Sequence, residues 1–262
     1  MYRLAPWCFL LLAACSQNVP PQQADDTAHT IRPATTPPPD TPVAADSSLI
    51  RTRIAAMRDS VASLPLLGAG LVNIQQIAPE ILVELKYSTT GNFLGYDVYG
   101  DLNTAYLQPD VAQKLAAAQR ALSLKRPGFR LLVYDAARPV SIQQKMWDTL
   151  RHRPLDRSKY VSNPANGGSL HNYGAAVDLT IADSAGHPLD MGSEYDYFGI
   201  ESHPAHEAEL LAAGKLTQAQ IANRKLLREI MRNAGFFGIT SEWWHFNSCT
   251  RKVAQEKYAL LR

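Results

Sequence analysis

Two short stretches, far apart in the chain, carry the residues best suited to chemistry. One runs from Gly168 to Thr180 and holds His171 and Asp178; the other, Ser241-Glu242-Trp243-Trp244-His245-Phe246, holds Glu242 and His245. A zinc ion that activates water takes about three protein ligands from His, Asp, Glu or Cys, keeps one position open, and lowers the pKa of the bound water to roughly 7. His171, Asp178 and His245 fit that ligand set, with one zinc per chain. Glu242 is the natural general base, taking a proton from water and later passing it to a leaving amine. Odd spacings on a strand point to opposite faces. A bend around Trp243-Trp244 is therefore expected, so that Glu242 and His245 can face one metal.

Each of these residue types also has an ordinary structural role. A single histidine is ordinarily a satisfied or surface residue, but two histidines joined to Asp178, Gly174 and Glu242 favour a mixed N/O site suited to hydrolysis. Trp243 and Trp244 read as packing around the site. His203 and His206 could compete as ligands, yet Pro204 between them breaks helical spacing. Cys249 lies close to His245 and reads as an inert, half-buried thiol. Arg138 has an alternative as the ion-pair partner of Asp135.

The elements that must position these residues can be read from periodicity. Ile50, Ile54, Met57 and Val61 recur at helical spacing and predict an amphipathic helix at the start of the folded part. Leu71–Ile74 and Ile81–Tyr87 read as strands, and the Gly/Asn/Tyr-rich stretch after Ser88 as a loop. Pro109-Asp110 opens a helix with Val111, Leu115, Ala118 and Leu122 on one face. The apolar run from Phe129 to Asp135 predicts a strand, and Arg138-Pro139 starts the next helix, with Pro139 as its first residue. Val177–Ile181 predicts a strand that fixes Asp178, while His171 sits in the turn before it. Gly174 in that turn implies a conformation or a close approach that a side chain would forbid. Thr217-Gln218-Ala219-Gln220 is a capping box ahead of Ile221, Leu227, Ile230 and Met231, and Gly235 marks the stop. A last strand is expected over Phe236–Phe246. Strands and helices interleave without a regular βαβ rhythm, which favours an α+β fold.

The 262 residues and a net charge of +2, with a pI near 8.4, suit one good-sized domain with appendages and give no footprint for nucleic acid. Residues 1–14 read as a lipoprotein signal, with Arg3 ahead of an apolar run from Trp7 to Ala14 that is too short to span a bilayer. Leu12-Ala13-Ala14-Cys15 resembles a bacterial lipobox, so Cys15 is expected to carry lipid. Ser16 after it favours the outer membrane, at its periplasmic face. Residues 15–48, rich in Pro, Thr and Ala, read as an extended disordered tether, and 49–262 as the catalytic domain. Cys249 is then left alone in the folded part, so no internal disulfide is expected.

Taken together, Lys86-Tyr87 with Gly91–Gly95, Tyr134–Pro139, Ser169–Thr180, Asp190-Met191-Gly192, Ser202-His203, Asn223-Arg224 and Glu242–His245 resemble the zinc D-alanyl-D-alanine peptidases, and within them the VanX-type D-Ala-D-Ala dipeptidase branch. The resemblance implies a compact domain with a mainly antiparallel sheet flanked by helices and a zinc site in a cleft. It implies His171, Asp178 and His245 as ligands, Glu242 as base, Arg138 as the cation facing the oxyanion, and Tyr87, Ser169 and Asp196 as substrate contacts. An acidic group beside the free amine would favour a dipeptide over longer peptides. Two departures stand out: Ala137 occupies a position where many relatives have an aromatic residue, and the export signal contrasts with the cytoplasmic resistance enzymes. Hydrolysis of wall-derived D-Ala-D-Ala outside the cytoplasm is the expected function. The alternatives are a D,D-carboxypeptidase on longer stem peptides and a non-catalytic wall-peptide binder.

Overall fold

A computed structural model of the chain describes residues 43–153 and 157–262. The expected signal, Cys15 and most of the expected tether lie outside the described residues. Residues 43–262 form one compact unit. They hold every strand and every buried apolar cluster among the described residues, which is what a chain needs to fold alone.

The helices are α1 (Val43–Gly68), α2 (Ile74–Ile77), α3 (Pro109–Lys125), α4 (Val140–Thr149), α5 (Arg157–Tyr160), α6 (Glu207–Ala212), α7 (Gln218–Asn233) and α8 (Arg251–Lys257). The strands are β1 (Val72–Asn73), β2 (Leu82–Val83), β3 (Tyr106–Leu107), β4 (Arg130–Asp135), β5 (Ala176–Ala182), β6 (Phe237–Gly238) and β7 (His245–Asn247). Five of them form a sheet in the order β2-β4-β5-β7-β6, while β1 and β3 pair separately. Only β2 and β4 run parallel; the other pairings are antiparallel. The α+β expectation holds.

β5 is the axis of the sheet. Ala-Val-Asp-Leu-Thr-Ile-Ala is buried along its whole length, as a central strand covered on both faces must be. Helix α3 buries Val111, Leu115, Ala118 and Leu122, the face the periodicity indicated, and α7 buries Leu227, Ile230 and Met231. Full burial of one such aliphatic side chain contributes about 1.5–3 kcal/mol, so these faces fix where the sheet must lie. The α7 capping box forms as expected: the Thr217 hydroxyl accepts from the Gln220 N–H at 3.2 Å, and Gln220 Oε1 accepts from the Thr217 N–H at 2.8 Å.

Several local expectations change. The strand anticipated from Leu71 to Ile74 stops at Asn73, because the Asn73 side chain accepts from the Gln75 N–H at 2.8 Å and caps α2 instead. The strand at 81–87 is confined to Leu82-Val83, and Tyr87 stands on a 3-10 turn, Lys86–Ser88. Pro139 is the N-cap of α4 and not its first helical residue. α1 begins at Val43, inside the stretch assigned to the tether, and Ile50, Ile54, Met57 and Val61 are all exposed.

Candidate metal centre

The sheet register assembles the site. Asp135 on β4 pairs with Asp178 on β5, and Asp178 pairs in turn with His245 on β7. A register shift between Val133 and Asp135 brings the β4 carboxylate into that row. His171 arrives from a 3-10 turn, Leu170–Tyr173, closed by Gly174 at φ 64°. A Cβ on Gly174 would stand 2.9 Å from Leu71 Cδ2 and 3.4 Å from the Gln108 backbone nitrogen. Both reasons anticipated for a glycine there, conformation and close approach, apply.

His171 Nε2, Asp178 Oδ1 and His245 Nδ1 converge. The nitrogen–nitrogen separation is 3.1 Å, His171 Nε2 is 3.2 Å from Asp178 Oδ1, and His245 Nδ1 is 2.9 Å from the same oxygen. Tetrahedral ligands about 2.0–2.1 Å from zinc stand about 3.3 Å apart, close to this spacing. The tautomers explain why the three atoms need a cation. His171 Nδ1–H donates to the Ala136 carbonyl at 2.7 Å, and His245 Nε2–H donates to Asn247 Oδ1 at 3.0 Å. The remaining ring nitrogens therefore turn lone pairs toward a carboxylate oxygen. Tyr195 donates to the other oxygen, Asp178 Oδ2, at 3.0 Å. Among the described residues this is the one group of three His, Cys, Asp or Glu side chains whose ligand atoms gather in this way. The donor set fits zinc.

Glu242 lies in the bent segment ahead of β7, and both it and His245 line one cavity of about 240 Å³. The bend that the odd spacing required is present. It divides the strand expected over Phe236–Phe246 into the short β6 and β7. Burial raises the Glu242 carboxyl to about 7, with His245 opposing and Asp178 adding to the shift. A carboxyl poised near neutrality suits a proton shuttle.

Arg138 follows β4 and is buried among named partners. Its Nε donates to Asp135 Oδ2 at 2.9 Å, its Nη1 to Gln143 Oε1 at 2.9 Å, and a second bond runs from Nη2 to Asp135 Oδ2. Tyr99 donates to Asp135 Oδ1 at 2.6 Å. Three of the five guanidinium N–H donors are anchored in this way; Nη2 also lies 3.7 Å from Asp178 Oδ2, and Arg138 lines the same cavity. The two readings of Arg138, ion-pair partner and site cation, are therefore compatible.

Asp196 lines the same cavity. Tyr87 donates to its Oδ1 at 3.1 Å, and the Phe93 N–H to its Oδ2 at 3.3 Å. Its φ of 59° is the only positive value at a non-glycine among the described residues, a cost that surrounding structure must hold in place. Burial raises this carboxyl to about 7, although the Tyr87 hydrogen bond works against the shift. Burial first, and Asp196 next, push the Tyr87 phenol well above its ordinary range, so it stays a donor. Ser169 lines the cavity, its hydroxyl 3.4 Å from Asn172 Oδ1 and 3.5 Å from Gln143 Oε1.

A larger cavity of about 940 Å³, lined by Lys86, Tyr134, Asp190 and Trp243, also touches Asp196 but contains none of the three convergent ligands, Glu242 or Arg138. Size does not locate the chemistry here. His203 is the N-cap and His206 the last residue of the 3-10 turn Pro204–His206, and neither joins the ligand cluster. Cys249 is a half-buried free thiol.

Sequence reasoning missed Tyr195, Asn247 and Gln143. Asn247 had a readable signal, since a residue two beyond His245 on a strand shares its face. Gln143 had a weaker one, a polar side chain among the apolar positions of α4.

The family model of D-ala-D-ala dipeptidase, peptidase family M15, matches residues 68–260. The chain belongs to that family. It is a hydrolytic metallopeptidase. Its relatives include the D-alanyl-D-alanine dipeptidase of Escherichia coli (strain K12), 36% identical over 176 residues that make up 67% of this chain and 83% of that protein. The dipeptidase of Enterococcus faecalis (strain ATCC 700802 / V583) is 30% identical over 204 residues, 72% of this chain and 94% of its own length. That of Enterococcus faecium is 27% identical over 191 residues, covering 68% and 90%. The peptidase match begins where α1 ends, so α1 is outside the shared region.

Proposed function

We propose that this peptidase hydrolyses free D-Ala-D-Ala to D-alanine, with His171, Asp178 and His245 holding one zinc. The observation that carries this reading is a small cavity with a ligand cluster and Glu242 along it and a desolvated carboxyl, Asp196, also on its wall. Zinc, when bound, supplies a Lewis acid for the amide carbonyl and makes water acidic enough to be used near neutrality. Glu242 takes the proton from the attacking water and returns it to the leaving amine. Arg138, on the wall of the cavity, stabilises the oxygen that gains charge, and Asp135 and Gln143 keep the guanidinium from turning away. Asp196 accepts the substrate ammonium, Tyr87 orients Asp196, and Ser169 offers a hydroxyl to the peptide.

Discrimination against longer peptides follows from the same carboxyl. An ammonium beside Asp196 neutralises a buried charge, whereas an acylated nitrogen leaves it unpaired. The test compares D-Ala-D-Ala with a stem pentapeptide ending in the same two residues. Turnover of the dipeptide alone supports the dipeptidase; turnover of the pentapeptide alone supports a D,D-carboxypeptidase. Zinc binding without turnover of either would make the protein a binder.

Export is the second part of the proposal. Arg3, the apolar run to Ala14, and Leu12-Ala13-Ala14-Cys15 support cleavage before Cys15 and lipid attachment there, with the enzyme at the periplasmic face of the outer membrane. Salvage or trimming of wall-derived D-Ala-D-Ala fits that location. Mass spectrometry of the mature N-terminus tests it: a diacylglyceryl group on Cys15 is expected, and an unmodified Cys15 rules it out.

A further inference from the structure

Helix α1 presents an apolar stripe that the domain leaves uncovered. Leu49, Ile50, Ile54, Met57, Val61 and Leu64 are each between 46% and 65% exposed. Ile50, Ile54, Met57, Val61 and Leu64 follow alternating steps of four and three residues, so they form one continuous face. The helix is nevertheless attached at its other end. Leu66 and Ser63 are buried, and Asp59 accepts from the Asn103 N–H at 2.6 Å and from the Thr104 N–H at 3.1 Å. Residues 48–58 are exposed throughout. An isolated helical stretch of that length is marginal in water, since helices draw most of their stability from packing an apolar face. No other described element covers this face.

Charge separates the two plausible covers. Arg51, Arg53 and Arg58 flank the stripe, and Arg58 has only an exposed contact to Asp101 at 3.9 Å. If two copies paired in parallel along the stripe, Arg53 of one would face Arg58 of the other, a repulsive arrangement. An anionic surface attracts all three arginines at once. Position in the chain agrees: α1 lies outside the shared peptidase region and is the first described element after the proline-rich stretch that follows Cys15. No helix among the described residues is long and apolar enough to cross a membrane.

We propose that the Ile50–Leu64 face of α1 docks on the headgroup region of an anionic phospholipid bilayer, holding the peptidase domain against the membrane. This extends the export reading, but its test does not need the lipid on Cys15. The unit 43–262, which lacks Cys15 and the apolar run before it, is sedimented with vesicles containing phosphatidylglycerol and, separately, with phosphatidylcholine vesicles. The expected result is co-sedimentation with the anionic vesicles, reduced by salt and weaker on phosphatidylcholine. Met57→Asp and Val61→Asp should each lower the partition coefficient about tenfold, and Arg53→Glu should lower it on anionic vesicles only. All three should keep the wild-type circular dichroism and D-Ala-D-Ala hydrolysis, because none lines the catalytic cavity. A unit that stays in the supernatant overturns the proposal, as does a concentration-dependent dimer that Met57→Asp dissociates. Acylation of Cys15, measured separately, succeeds or fails independently of either result.

Discussion

The two parts of the catalytic cavity are built in contrasting ways. At the metal centre, Asp178 and His245 are paired across neighbouring strands, and each histidine is fixed by an acceptor on its other nitrogen. At the proposed amine site, Asp196 sits on a loop in a left-handed conformation and is held by one phenol and one backbone N–H. Sheet register makes the first geometry stiff, since shifting one strand by a residue would turn its ligand to the other face. A loop carboxyl can move with what it binds. Two of the three proposed ligands, Asp178 and His245, stand on paired strands with His171 on the adjoining turn, whereas the proposed amine contact stands on a loop.

That contrast predicts different kinetic signatures. The largest effect belongs to the ligands: His245→Ala or Asp178→Ala should abolish stoichiometric zinc and D-Ala-D-Ala turnover together, read by metal analysis and D-alanine release. Chelation of the wild type should do the same, and added zinc should restore activity. Glu242→Ala should retain zinc and lose about 10²–10⁴ in kcat. A near-normal rate in that variant would remove the proton-shuttle role. Arg138→Ala should lose about 10²–10³, again in kcat.

At the loop, Asp196→Asn should act mainly on KM, raising it by about 10- to 100-fold, the value of a charge-assisted hydrogen bond. An equal loss in kcat would show that the two parts do not divide the work. The smallest effect is expected at Asn247→Ala, where freeing His245 Nε2 should weaken zinc by about 10- to 100-fold with near-normal turnover once zinc is saturating.

Acidity sharpens the comparison further. Glu242 and Asp196 both act as carboxylates and are both raised to about 7, so kcat/KM should fall as pH drops through the neutral range. Asp196→Asn should remove its share of that limb. The sign for stability is the reverse. A carboxyl at 3.8 in the unfolded chain and about 7 when folded favours the unfolded state increasingly as pH rises between those values, and the full cost persists above 7. Metal-free Asp196→Asn should therefore melt higher than the wild type at pH 8, with little difference at pH 4. Equal melting temperatures at pH 8 would show that Asp196 carries no such burden.

Much of this site is legible in the chain because metal chemistry limits the residue types so strongly. Two histidines, an aspartate and a glutamate beside glycine and strand-like runs are hard to explain otherwise, and Asp178 falls on the strand that periodicity indicated. The α3 and α7 faces were readable for a related reason: helical spacing records burial directly. Legibility failed where competition was local. Asn73 went to a helix cap because its side-chain bond to the Gln75 N–H outweighs weak strand propensity over two or three residues, while Tyr87 stands on a 3-10 turn and Pro139 moved one place, from first helical residue to N-cap. The same periodicity that located α3 also located α1, yet one face is buried and the other bare.

By itself, then, the amino-acid sequence determined which groups could bind a metal, which carboxyl could move a proton, and which helices had an apolar side. Tertiary structure alone decided the row Asp135–Asp178–His245 across three strands, the tautomers set by Ala136 and Asn247, and the pairing of Tyr195 with Asp178. The reason is that strand register and imidazole orientation depend on partners distant along the chain, and no local pattern encodes where those partners will stand.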